Sequence, residues 1–197
     1  MSSSASPRPR CERCNLPVQL CLCAEIPRVQ TRTRFLILQH LMEMGKKSNT
    51  GRLAVQALVN TRLLPYGMPG EALDTALLSE PGTWLLFPDG TPAPPDAPTP
   101  RQVVVLDASW SQARRMSQRL PVLRTLPRLV LPPPEPGLLR LREPTHPSGM
   151  STLDAVARAV ALLEGPEVAA PLERLAALRV RRIADCGTLN PGPDEPS

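Results

Sequence analysis

Four of the chain's five cysteines stand together near its start, Cys11 and Cys14 with two residues between them, then Cys21 and Cys23 with one, the two pairs separated by six residues. Thiolates hold zinc tetrahedrally with sulfur at about 2.3 Å, and a two-residue spacer lets one turn present both sulfurs to the same ion. Asn15 and Pro17 suit the turn between the pairs. A reducing compartment disfavours disulfides. The first reading is therefore one zinc on Cys11, Cys14, Cys21 and Cys23, with disulfides or an iron–sulfur cluster as the alternatives. Four thiolates leave no coordination position open, so such a zinc is structural. Cys186 stands apart and reads as a small hydrophobe.

A second set of candidates consists of polar residues and prolines that end apolar runs. Residues 102–106 (QVVVL) form the clearest strand, continuous and β-branched as a strand buried on both faces should be, and Asp107 follows directly. Residues 34–39 (RFLILQ) and 83–87 (TWLLF) read as further strands, the latter ended by Pro88, and residues 128–131 as a short one. Between them lie helices. One starts at Gly51, capped by Asn49 or Thr50, and stops before Pro65. A second begins at Trp110, because Ser109 and Gln112 match a capping box. A third follows Ser151 and Asp154, a second such box, and buries Leu153, Val156, Ala157 and Val160. A last helix covers about residues 167–183 and ends in Arg179, Arg181 and Arg182. This alternation predicts an α/β fold, a mainly parallel sheet flanked by helices. Ligands gather at the carboxyl ends of such strands, which points to Pro88, Asp107 and the loop after Arg142. No Gly-x-Gly-x-x-Gly fingerprint is present, which disfavours a Rossmann-type cofactor site.

The whole chain must supply one core for these elements. Its 197 residues, 42% of them hydrophobic, suit one catalytic domain with a small appendage. We expect a disordered N-terminus over 1–10, a zinc knuckle over 11–30, the catalytic domain over 31–185 and a C-terminal tail over 186–197. The 26 prolines and 3% aromatics predict stiff loops and an aliphatic core, with Pro92, Pro94, Pro95, Pro98 and Pro100 forming an extended connection. No run is apolar and long enough to span a bilayer, and the first ten residues lack the apolar core of a signal peptide, so the expected location is cytoplasmic. A net charge of +5 favours a polyanionic partner without identifying one.

Taken in order, several segments resemble the successive motifs of the DTW-domain family. They are the cysteine pairs with Pro17, residues 48–53 (SNTGRL), residues 107–113 (DASWSQA), and Arg142-Glu143-Pro144 followed by residues 151–155 (STLDA). The resemblance implies tRNA-uridine aminocarboxypropyltransferase activity, in which S-adenosylmethionine donates its 3-amino-3-carboxypropyl group to a uridine ring nitrogen and methylthioadenosine leaves. It also implies kinship with the SPOUT class, whose α/β fold is knotted, and leaves open whether this chain is knotted. The family signature is Asp-x-Thr-Trp; here Ser109 takes the third place, keeping the hydroxyl and losing a methyl group.

Under that resemblance the catalytic candidates are Asp107, Ser109 and Trp110. Asp107 either accepts the nucleophile's proton or holds the donor's α-ammonium, against the plainer role of an acid at a helix N-terminus. Capping alone explains Ser109, and Trp110 either stacks on a base or belongs to the core. Pro88, Asp107, Ser148, Gly149, Ser151 and Thr152 are the candidates for binding S-adenosylmethionine, the Ser148-Gly149 loop offering backbone donors to its carboxylate. Lys46, Lys47, Arg114 and Arg115 are the candidates for tRNA phosphates, Arg119 on the same helix being equally suited to such bonds, with a solvated face as the alternative. Arg142 either pairs with Glu143 or meets an anion, and His146 has no evident partner. A methyltransferase using the same donor, or a non-catalytic zinc-containing RNA-binding protein, are the competing readings.

Overall fold

The computed structural model describes residues 9–46, 49–89, 94, 96–132 and 150–185. Five parallel strands make one sheet: β1 (Arg34–His40), β2 (Thr61–Tyr66), β3 (Thr83–Leu86), β4 (Gln102–Asp107) and β5 (Arg128–Leu129), in the spatial order β2-β1-β4-β3-β5. The helices are α1 (Gly51–Ala57), α2 (Trp110–Arg119), α3 (Pro121–Thr125), α4 (Thr152–Glu164) and α5 (Pro166–Asp185). The expected α/β architecture is therefore present, with the parallel sheet covered on both faces.

Alternation along the central strands sorts the core in two. Phe35 and Ile37 of β1 with Val103 and Val105 of β4 face α1, α4 and α5; Leu36, Leu38 and Val104 face α2 and α3. That two-sided burial is why β1 and β4 are continuous apolar runs. The knuckle joins the first layer. Leu16, Leu20 and Leu22 are buried within it, and Leu22 is fully enclosed. Arg182 at the end of α5 donates to the Cys21 carbonyl at 2.6 Å and to Glu25 at 2.5 Å. Pro9 and Arg10, expected with the disordered N-terminus, are tied to it: Val18 N–H donates to the Pro9 carbonyl at 3.0 Å, and Arg10 reaches the Gly45 carbonyl at 3.1 Å.

One local expectation is corrected, and two elements are present that the sequence reading did not name. α1 stops before Pro65 as expected, and the segment that follows contains the unnamed strand β2, with Pro65 within it. β2 is an edge strand, where a residue without an N–H is tolerated. Neither Asn49 nor Thr50 caps α1 through its side chain, because the Asn49 amide donates to Asp107 and the Thr50 hydroxyl accepts from Leu153 N–H at 3.0 Å. The turn after α2 is helical, α3 beginning on Pro121, whose missing N–H costs nothing in a first turn. Among the described residues no helix is long and apolar enough to cross a membrane.

Candidate functional site

β1 and β4 run side by side at the centre of the sheet, and their ladder brings Gln39 opposite Asp107 at the carboxyl ends. Here the chain order reverses direction across the sheet, β2 lying on one side of this pair and β3 on the other. Open α/β sheets leave a crevice at such a point. Asp107 is only 3% exposed, so its carboxylate needs partners. It has three. Oδ2 accepts from Gln39 Nε2 and from Asn49 Nδ2, both at 2.6 Å, and Oδ1 accepts from Thr152 Oγ1 at 2.6 Å. The three donors come from β1, from the segment before α1 and from the first turn of α4.

Close approach to Gly51 completes the arrangement. A Cβ at position 51 would lie 2.5 Å from Asp107 Oδ2 and 2.8 Å from its Cγ, so the first residue of α1 is glycine because the carboxylate occupies that space. α4 is set in place by its own cap and by the same neighbourhood. Ser151 Oγ accepts from Asp154 N–H at 3.2 Å and donates to Asp154 Oδ2 at 2.6 Å. Gln39 Oε1 is buried and has no hydrogen-bond partner among the described residues.

α2 leaves the same edge of the sheet. Its capping box is formed as the spacing predicts, with Ser109 N–H donating to Gln112 Oε1 at 2.9 Å and the Ser109 hydroxyl to the same oxygen at 2.7 Å. Trp110 stacks on Phe87 at the end of β3, ring centroids 5.4 Å apart and planes 10° from parallel. Two clefts flank the helix. The first, about 410 Å³, is lined by Phe87, Asp89, Arg114, Ser117, Gln118, Arg124 and Arg128. Pro88 is half-buried between two of these residues. The second, about 320 Å³, lies toward β1 and β2. Arg114 lines the first and Arg115 the second, so adjacent arginines serve different clefts. Lys46 is half-exposed and pairs with Glu43 at 2.8 Å.

The four cysteine sulfurs lie within 4.8 Å of one another, with Cys11 to Cys23 at 3.5 Å and Cys14 to Cys21 at 3.8 Å. Four thiolates around one zinc stand about 3.8 Å apart, so the set is close to what a tetrahedral ion requires. Backbone amides of Cys14 and Arg13 lower Cys11 to about 6, whereas burial, and then the neighbouring Cys11 sulfur, push Cys23 up to about 12. Burial and the neighbouring sulfurs thus work against ionising Cys23 beside Cys11, a cost that a divalent cation offsets.

Of the site residues expected from sequence, Asp107, Thr152 and the N-terminus of α4 meet at one point, with Ser109 and Trp110 just beyond on α2. Ser148, Gly149 and Lys47 lie outside the described residues, as do Arg142, Glu143, Pro144, His146, Cys186, Pro92 and Pro95. Gln39 escaped sequence reasoning. Its only signal was a polar residue closing an otherwise apolar run, 68 positions from its partner. Arg179 and Arg182, at the end of the last helix, are engaged internally. Arg179 is 4% exposed and its guanidinium pKa is lowered by burial, against the pull of Asp154.

The DTW domain family matches residues 8–184. Among curated proteins, tRNA-uridine aminocarboxypropyltransferase 2 of Drosophila melanogaster is 27% identical over 180 residues, covering 85% of this chain and 72% of the fly protein. The Mus musculus protein of the same name is 29% identical over 81% of this chain and 58% of its own length. tRNA-uridine aminocarboxypropyltransferase A of Arabidopsis thaliana is 30% identical over 54% of this chain, which spans about half, 49%, of that relative. No solved structure matches. With nearly its whole length matched, the chain belongs to the DTW-domain family.

Proposed function

We propose that this protein transfers the 3-amino-3-carboxypropyl group of S-adenosylmethionine to a uridine ring nitrogen of tRNA. The observation that carries the reading is the convergence on Asp107 of three motif segments far apart in sequence: Asn49 and Gly51 from one, Asp107 from the next and Thr152 from the third. The names of the relatives support the same activity. In this reaction the uridine nitrogen forms a bond to the carbon beside the sulfonium, the carbon–sulfur bond breaks, and its electron pair returns to sulfur as methylthioadenosine leaves. The imide proton passes to a base or to water. The leaving group is already activated, so the protein's task is alignment and exclusion of water.

Asp107 is suited to holding the donor's α-ammonium. A carboxylate offers about four acceptor positions, and three are filled here by neutral donors. Cycling a proton through it would disturb all of them at every turnover, whereas an ammonium completes the set. The unpartnered Gln39 Oε1 offers a second acceptor beside it. Ser151 and Thr152 at the start of α4, with Ser148 and Gly149 before it, make up the seat for the donor's carboxylate, and Pro88 borders the adenosine side. Trp110, with one face already on Phe87, shapes that boundary. Lys46, Lys47, Arg114 and Arg115 contribute to the tRNA surface, Lys46 with part of its charge already used by Glu43. The cysteine cluster holds one structural zinc, which ties the knuckle to the core, and the enzyme works in the cytoplasm, where its thiols stay reduced.

The by-product decides the reading. Incubation of the protein with S-adenosylmethionine and unfractionated tRNA should release methylthioadenosine only when both are present. S-adenosylhomocysteine in its place would make the protein a methyltransferase, and neither product would leave a zinc-containing RNA-binding protein.

A further inference from the structure

The second cleft beside α2 is lined by His40, Met42, Tyr66, Gln112, Arg115, Met116 and Arg119. β1 and β2 end there together, His40 lying opposite Tyr66 in the parallel ladder, and the two rings meet at 5.9 Å with planes tilted by 56°. Met42 N–H donates to His40 Nδ1 at 3.2 Å, so in the neutral ring the proton is on Nε2, a donor. Arg115 and Arg119 are four positions apart on α2, hence on one face with roots about 6 Å apart. Both are exposed, and neither joins the ion pairs found among the described residues, which are Arg32–Glu164, Arg34–Glu80, Lys46–Glu43 and Arg182–Glu25. Gln112 spends its carbonyl oxygen on the helix cap.

We propose that this cleft is a nucleotide subsite, taking one base of a single-stranded RNA segment against Tyr66 and His40 while Arg115 and Arg119 hold the phosphates on either side of it. Single strands are held in this way, by aromatic platforms interleaved with cations that follow the backbone. A volume of about 320 Å³ lies within the range of small-ligand clefts, roughly 300–1,000 Å³. His40 follows Gln39, which donates to Asp107, but successive strand side chains point to opposite faces. This cleft therefore lies on the α2 face and the crevice on the α1 and α4 face, both at the carboxyl edge of β1. A base seated here is separated from the nucleotide at the crevice by that edge. The subsite would fix which side of the reacting uridine enters, a selection that Asp107 and its neutral donors cannot make. It rests on the tRNA reading above and deepens it.

Full-length protein titrated with fluorescently labelled unfractionated tRNA, followed by anisotropy over a salt series, tests the subsite. Tyr66→Leu should weaken binding about ten-fold with the salt slope unchanged, and Tyr66→Phe should restore it, since stacking needs a ring and no hydroxyl. Arg115→Gln with Arg119→Gln should lower the slope of log affinity against log salt by roughly 1.4, two phosphates on a single strand. Arg62→Gln with Arg174→Gln, exposed positions elsewhere, supplies a charge control that should lower it by less. Wild-type binding with Tyr66→Leu and the double arginine variant indistinguishable from it would overturn the subsite and leave the tRNA reading standing. Absence of wild-type binding would overturn both.

Discussion

The cysteine knuckle, half-buried, and the Asp107 crevice, centred on a buried carboxylate, are both clusters of polar groups, yet they are built in opposite ways. All four sulfurs of the knuckle come from residues 11–23, so a turn and two short spacers bring them within 4.8 Å of one another. The crevice takes Gln39, Asn49, Gly51, Asp107 and Thr152 from four separate elements, and only the finished sheet brings them together. A local cluster can be completed by an ion before the rest of the chain has folded. A dispersed one exists only in the native state, and its carboxylate is tolerated in the core only because three donors arrive with it. Filled by the proposed zinc, the knuckle would contribute stability, while the crevice consumes it in exchange for a fixed geometry.

Several changes would break or sharpen that contrast. Cys14→Ser has the largest expected effect on stability. It removes one of the four sulfurs proposed to hold zinc, at a position 2% exposed next to Leu16, Leu20 and Leu22 in the main core, and should release zinc and lower the melting temperature by on the order of 10 °C. Elemental analysis and a thermal melt check it. Full zinc content in this variant would mean that the cysteines do not act as one site. Asp107→Ala comes next. It strands the donors of Gln39, Asn49 and Thr152, at a cost on the order of 3 kcal/mol in denaturant unfolding, and zinc content should stay normal.

Gly51→Ala should cost about 1–3 kcal/mol, because a methyl group 2.5 Å from Asp107 Oδ2 forces the carboxylate off its donors. Transfer should fall with it. If the variant is as stable and active as wild type, Asp107 is not fixed where the structure has it. The smallest effect concerns His40. Burial holds its pKa below the ordinary 6.5, against the pull of Glu43. A folded pKa depressed below the unfolded one means the native state binds fewer protons, so this contribution is present above 6.5 and is lost as pH falls through the lower folded value. Between about pH 7.5 and about pH 5.5, wild type should therefore lose slightly more stability than His40→Gln.

Sequence reading succeeded where the determining forces are local or periodic. The capping box of Ser109 and Gln112, the start of α1 at Gly51, the buried stripe of α4 and the central strands β1 and β4 all follow from short-range geometry or from two-sided burial. β2 was missed because edge strands are only half-buried and its Pro65 reads as a breaker. Gln39 and the true employment of Asn49 and Thr50 were missed for another reason. Their partners lie 68, 58 and 103 positions away, and no local pattern distinguishes a side chain that caps its own helix from one that reaches across the fold. Arg114 and Arg115 show the same limit. Adjacent in sequence, they serve different clefts because successive helical residues diverge.

The most direct test of the account is Asp107→Asn, assayed by mass spectrometry of tRNA nucleosides after incubation with S-adenosylmethionine. An asparagine can keep the network: its carbonyl oxygen accepts from Gln39 and Asn49, and its amide donates to the Thr152 hydroxyl, which reverses its role. Only the negative charge is lost. The account predicts a folded protein with its zinc, and uridine modification reduced at least a hundred-fold with weakened binding of S-adenosylmethionine. Near-normal formation of aminocarboxypropyl-uridine by this variant would contradict it and return Asp107 to a purely structural role.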